Sequence, residues 1–331
     1  MLNVKSKINT ILHRPSIVKS ILYKRNINEI RSDLDKIENY EARQFISYLK
    51  QSFPYEINAF QKPKLNRMCS LEDWNNAEIR QILSELQISN SLLIHRKEWE
   101  WALGLIAMKR FNKLNEHSLV LGVAVGTEPI PFYLANKVKH VYATDLYGEL
   151  EKWNKSAPSN FLNNPRKYAP FPYREDALTV LKMDGTRLEF PSETFDIAFS
   201  FSSIEHFGGR NHVGAFQSMK EMERVLKKDG IAVIATEYII NDKEHPEFFN
   251  RKTIYSDLID KLDSLKLVEP LDLRITNKTL DTVMDIETAA NWDNIDTSFR
   301  ETHPLILLRS RTILLTSVML VFQKKNYIEN Y

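Results

Sequence analysis

Asp145, Asp184, Glu205 and His206 share one context: each lies at, or just beyond, the end of an apolar, β-prone run. In an open α/β sheet that edge is where ligands bind. A carboxylate placed there can accept both hydroxyls of a ribose, and a carboxylate–imidazole pair can hold or move a proton. A fifth group, Glu128, stands where a helix begins. The alternative for Glu205 and His206 is structural: they cap the loop and helix that follow.

The elements that must position these groups can be read from spacing. Residues 118–123 (SLVLGV) have the length and composition of a buried parallel strand. A tight small-residue turn follows, Ala124-Val125-Gly126-Thr127. Then Ile130, Tyr133, Leu134 and Val138 keep helical spacing, with Pro129 and Pro131 tolerated in the first turn. Residues 140–144 form a second strand that ends on Asp145, 19 residues beyond Gly126. Free backbone N–H groups at that helix start would favour anionic or polar ligand groups. Downstream, residues 178–183 read as a third strand running into Asp184-Gly185, and residues 195–202 as a fourth running into Ser203-Ile204-Glu205-His206. Residues 213–226 are amphipathic and close on Lys227-Lys228-Asp229-Gly230, followed by a fifth strand at 231–235. A helix at 253–265, a strand at 267–275 and a long last strand at 312–322 complete the pattern.

At 331 residues and net charge +2 the chain can bury a full core, and nothing in its charge points to a nucleic-acid partner. Cys69 is the single cysteine, which excludes an intrachain disulfide and a cysteine-cluster metal site. Glu205 and His206 lack a convincing third ligand, so no metal is expected. No apolar run reaches membrane-span length, and the cytoplasm is the expected compartment. The first 31 residues carry seven Lys and Arg against Glu29 alone, with Ile8, Ile11, Leu12, Ile17, Val18, Ile21 and Leu22 at roughly helical spacing. Such a segment can lie on an anionic membrane surface, here the inner one; the alternative is a helix docked on its own protein. Up to about residue 115 the pattern stays helical. One stripe runs through Leu34, Ile37, Phe45, Ile46 and Leu49 and another through Ile79, Ile82, Leu83 and Leu86. Trp99 and Trp101 could line a pocket, though core is expected for at least one of them.

The order of strand, small turn, helix, strand-Asp, strand-Asp-Gly, strand-Glu-His and helix-Lys-Lys-Asp-Gly-strand resembles the class I S-adenosylmethionine-dependent methyltransferases. The resemblance covers about residues 114–238, with weaker support to 324. It implies an α/β, doubly wound, mostly parallel seven-stranded sheet of the Rossmann-like methyltransferase kind. Residues 1–113 would be an added N-terminal helical region and 114–331 the methyltransferase domain, with 147–175 and 239–252 as pocket-side loops or lid. It also implies S-adenosyl-L-methionine as cofactor. Ala124, Val125 and Gly126 would face its methionine part, Asp145 the ribose hydroxyls and Asp184 the adenine amino group with Gly185 beside it, with Phe201 and Ser202 alongside; Gly122, Thr127 and Leu146 are further cofactor-binding candidates. The sequence departs from the family at Gly122, where an acid is usual, at Ala124 and at Glu128, which replace glycines. Glu128 is suitably charged to take over the contact with the cofactor's ammonium group.

A nicotinamide-binding Rossmann domain is the nearest rival. Its diphosphate needs close backbone approach at glycines, and Glu128 would set negative charge against it. A sulfonium cofactor tolerates that acid. Methyl transfer to a hydroxyl requires a proton acceptor, for which His206 is the first candidate and Glu205 the second, or its orienting partner. His212, Glu237 and His245 lie on adjacent edges. The expected acceptor is a small molecule or a sugar-containing one. LGVAVGTEP, ATDLYG and SSIEHFGG resemble most closely the methyltransferases of bacterial surface-glycan biosynthesis. A pseudo-methyltransferase that serves as an interaction module is the alternative of a different class.

Overall fold

The computed structural model describes residues 27–88, 93–208 and 210–325. The basic segment therefore lies outside the described residues up to residue 26, and with it the expected membrane-surface contact. Helix α1 (Ile27–Ser52) leads through strand β1 (Arg67–Met68) to α2 (Ala77–Glu85) and α3 (Arg96–Arg110). There follow β2 (Leu119–Val123), α4 (Ile130–Ala135), β3 (His140–Asp145), β4 (Leu178–Lys182), β5 (Phe195–Phe201), α5 (Val213–Val225) and β6 (Leu226–Ile239). Strands β7 (Leu265–Leu267), β8 (Met284–Asp285), β9 (Leu308–Ser310) and β10 (Ile313–Lys324) complete the chain.

The strands form one sheet in the order β4-β3-β2-β5-β6-β10-β9-β8, with β1 and β7 also paired to β10. The run from β4 to β6 is parallel, and β10 closes it antiparallel to β6. This is the expected doubly wound α/β fold, with ten strands rather than seven. The additional ones, β1, β8 and β9, are two or three residues long, too short to show alternation in sequence. Side chains alternate between two cores. Val120 packs with α2, α3 and α4, while Leu121 and Val123 pack with α5. The order reverses between β2 and β5, which opens a crevice at their carboxyl ends.

Helix α3 fills the floor of that crevice. Trp99 is fully buried and its Nε1 donates to Asp73 at 2.7 Å, whereas Trp101 reaches the cavity. Gly104, in mid-helix, is required by a close approach: a Cβ there would stand 2.4 Å from the Phe201 ring. On α1 the expected stripe is only half covered. Ala42 and Ile46 are buried, but Leu34 and Ile37 are 52% and 54% exposed.

Three segments differ from expectation. Helix α5 stops at Val225, and Leu226 already pairs with Phe195. The left-handed residue is Asp229 (φ 59°), so Lys227-Lys228-Asp229-Gly230 is an irregular start of β6 and not a helix cap. The strand expected at 267–275 is confined to β7, because Pro270 has no N–H and the Asp272 N–H goes to the Asn66 carbonyl instead. The helix expected from 253 begins at Arg251 behind a reciprocal Asn250–Thr253 cap and passes through a π turn at Ile254–Leu258. Among the described residues no helix is long and apolar enough to cross a membrane.

Candidate functional site

A cavity of about 670 Å³ occupies the crevice at the carboxyl ends of β2, β3 and β5. Of the residues singled out in the sequence, Ala124, Gly126, Thr127, Glu128, Asp145, Leu146, Asp184, Gly185, Ser202 and His206 line it. Gly122, Phe201 and Glu205 do not. Gly122 lies inside the sheet, where a Cβ would meet Phe199 and Val125 at 2.8 and 2.6 Å, so an acidic side chain has no room there. Phe201 is buried beneath Gly104 and offers only its carbonyl, which accepts from Lys97 Nζ at 2.9 Å.

Asp145 is held by the turn it faces. Its Oδ2 accepts the Gly126 N–H at 2.9 Å and its Oδ1 the Leu146 N–H at 2.7 Å. Burial pushes this carboxyl up, against the pull of those two donors. The expectation of free N–H groups at the helix start is corrected here. Val125 N donates to Thr144 O, Thr127 N to Ser156 O and Glu128 N to Val125 O. Ser156 belongs to the aromatic strap at 147–175, whose Phe161 and Tyr147 pack with Phe132. The strap crosses the turn so closely that a Cβ on Gly126 (φ 51°) would lie 2.5 Å from the Ser156 carbonyl oxygen. Only glycine fits. Ala124 (φ 52°) and Ser202 (φ 47°) hold left-handed backbone at the cavity wall.

At one end of the cavity Lys97 Nζ stands 2.8 Å from Glu128 Oε1 and 3.2 Å from Glu100 Oε2. Burial opposes its charge, but the two carboxylates hold its ammonium above the ordinary lysine range. Glu100 is wholly buried and accepts from Ser202 Oγ at 2.8 Å. The cavity thus presents a cation and an anion side by side, contributed by α3 and the turn after β2. Lys97 was not singled out from sequence; it stands in the charged first turn of a helix that then turns apolar.

Glu205 and His206 are adjacent in sequence and separated in role. Glu205 points into the protein, accepting from Thr236 Oγ1 at 3.0 Å and Glu237 N at 3.2 Å. Burial pushes its carboxyl up to about 7, with Glu237 adding to the shift. His206 faces the cavity, and its Nδ1 meets Glu247 Oε2 at 2.8 Å. Trp153 of the strap and Phe248 flank its ring, with centroids 4.9 and 6.0 Å away. Glu247, from the loop at 239–252, is thus the carboxylate partner that sequence reading gave to Glu205. His212, Glu237 and His245 serve structure: His212 bonds Asp257, Glu237 pairs with Arg96, and His245 Nδ1 accepts the N–H groups of Glu247 and Phe248. No cluster of three metal-ligating side chains occurs among the described residues.

The Glu205 shift has a thermodynamic consequence. Its folded-state pKa lies above the ordinary 4.5, so folding is favoured by protonation and that contribution fades as pH rises from 4.5 to about 7. Glu205→Gln removes the titration and keeps an acceptor for Glu237 N. The difference in Tm between variant and wild type should move in the variant's favour from pH 5 to pH 8; a pH-independent difference would contradict the assignment.

Residues 121–234 match a family model described as a methyltransferase domain. Over that segment the chain is similar to a methyltransferase domain. Among solved structures the chain resembles a protein from Galdieria sulphuraria provisionally described as a sarcosine dimethylglycine methyltransferase, at 13% identity and TM-score 0.44 over 76% of this chain and 99% of the other. It resembles the [4+2]-cyclase SpnF at 12% identity and TM-score 0.42, over 88% and 96%. A SAM-dependent methyltransferase from Aquifex aeolicus shares 15% identity and TM-score 0.36, over 66% and 88%. No curated protein matches the chain in sequence.

Proposed function

We propose that the chain is an S-adenosyl-L-methionine-dependent methyltransferase that methylates a hydroxyl of a small-molecule or sugar-containing acceptor. The observation that carries this is one cavity holding three kinds of group. Asp145 is pre-oriented by two backbone donors, the Lys97–Glu128 pair sits at one end, and His206 is on the wall. The residues fit the cofactor. Lys97 and Glu128 complement the carboxylate and ammonium of an α-amino acid, Asp145 a ribose, and Asp184 with Gly185 the adenine edge. When bound, the cofactor supplies a methyl group on a sulfonium sulfur. The protein's part is to align, to exclude water under the strap, and to take the acceptor's proton on His206. A dinucleotide fits poorly, because the N–H groups that would cradle its diphosphate are already bonded within the protein.

Calorimetric titration with S-adenosylhomocysteine tests the cofactor reading. Saturable binding supports it; absence of heat favours the interaction module. Lys97→Met should weaken S-adenosylhomocysteine by about tenfold, the loss of a charge-assisted contact, and leave methylthioadenosine, which lacks the amino-acid end, within about twofold. Equal losses for both ligands would make Lys97 merely structural. Mass spectrometry of candidate glycans and small alcohols incubated with protein and methyl donor then identifies the acceptor by a methyl-sized gain. The bacterial surface-glycan assignment rests on the quoted sequence strings alone. Sedimentation with anionic vesicles at low salt, full chain against residues 27–331, tests the basic segment.

A further inference from the structure

We infer that Glu247 is the positioning residue for His206, fixing the ring with its proton on Nδ1 and presenting Nε2 as the proton acceptor in the cavity. The inference rests on the reading of His206 as the group that deprotonates the acceptor hydroxyl. Three observations carry it. First, Glu247 Oε2 lies 2.8 Å from Nδ1, and a carboxylate can only accept there, so Nδ1 carries the hydrogen. Second, among the described residues Nε2 has no hydrogen-bond partner, although His206 lines the cavity. Third, the ring is packed between Trp153 and Phe248, which come from two different loops. Rotation that would exchange the nitrogens breaks the bond to Glu247.

The charges around the pair agree with this division. Glu205 is turned away into its bonds with Thr236 and Glu237, and His245 is spent on the backbone of the loop. The bond to His206 holds the Glu247 carboxyl below its ordinary range, with Lys152 as a further positive neighbour. Glu247 therefore stays ionised while His206 takes up and releases the proton. A carboxylate behind an imidazole fixes its tautomer and raises its basicity, and losing such a partner commonly costs about 10–100-fold in function. In proton terms the step is closed: the hydrogen leaving the acceptor oxygen goes to Nε2, the Nδ1 hydrogen stays shared with Glu247, and the imidazolium returns one proton to solvent.

The test needs neither acceptor nor methyl donor. Diethyl pyrocarbonate attacks the unprotonated imidazole nitrogen, and peptide mass mapping reads its rate at each histidine of the full chain at pH 8. In the wild type His206 should label readily. Glu247→Ala should slow labelling of His206 by about fivefold or more, while Glu247→Gln, which keeps an oxygen to accept from Nδ1, should stay within about twofold. His245, tied to the backbone of residues 247 and 248, should label at the same rate in all three proteins and serves as the internal control for loop integrity. An unchanged His206 rate in Glu247→Ala, or an equal loss in Glu247→Gln, overturns the inference. Failure of the methyltransferase reading is seen separately, as absence of heat with S-adenosylhomocysteine in wild-type protein whose labelling pattern is intact.

Discussion

Asp145→Ala is expected to weaken S-adenosylhomocysteine binding by about 1–3 kcal/mol, the cost of removing a charged acceptor of two hydroxyl hydrogen bonds. That is roughly 5- to 150-fold in Kd, within easy calorimetric reach. Both carboxylate oxygens already accept one backbone N–H, from Gly126 and Leu146, which leaves each a second lone pair. The backbone bonds thus do for Asp145 what a rigid clamp would do: they spend no ligand-binding energy on orienting it. They also mean that alanine frees two N–H groups of the turn, so part of the loss is structural. Asp145→Asn separates the contributions. An amide keeps one oxygen acceptor and the side chain's shape but not the charge, so its affinity should fall between alanine and wild type while its Tm stays nearer the latter. Burial raises the Asp145 carboxyl, so affinity should also decline as pH falls and the acceptor becomes protonated. A folded Asp145→Ala protein with unchanged affinity removes Asp145 from the site.

What could be read in the sequence was whatever short-range order fixes. The strands at 119–123, 140–145, 178–182 and 195–201 are apolar runs bounded by turns, and their ends locate Asp145, Asp184 and His206 without further information. The departure at Gly122 was legible as a missing acid, but its cause was not. It depends on Phe199, a strand neighbour 77 residues away, whose ring occupies the space a side chain would need. The same limit applies to Lys97 and Glu247. Each is 31 to 41 residues from the group it serves, Glu128 and His206, on an element that sheet topology alone brings near. The amide groups of the turn show the reverse error. Local geometry leaves the N–H groups at a helix start free, and it took the strap, folding Ser156 over Thr127, to satisfy one of them. Glu205 and His206 were inseparable in sequence because adjacency says nothing of direction; the turn Ile204–His206 sends one side chain to the core and the next to the cavity.

His206→Ala should lower methyl transfer to the acceptor identified by mass gain by about 10²–10⁴-fold, the usual contribution of a proton-transfer group. The affinity for S-adenosylhomocysteine should stay within about twofold, because every residue assigned to the cofactor lies on other elements. Structure allows one confounding effect. The ring packs against Trp153 and Phe248 and is 20% exposed, so its loss leaves a partly filled gap between two loops. That gap should cost about 1 kcal/mol and a few degrees in Tm, well short of unfolding the domain. His206→Gln tests the same point with the gap mostly filled: it restores packing but offers no group basic enough to accept the proton, so its turnover should remain as low as that of alanine. If packing alone were the role of His206, Gln would recover turnover along with Tm. If instead both variants bind S-adenosylhomocysteine and transfer methyl at the wild-type rate, His206 has no part in the chemistry. The acceptor would then lose its proton to solvent after transfer, and alignment in the cavity would supply the rate.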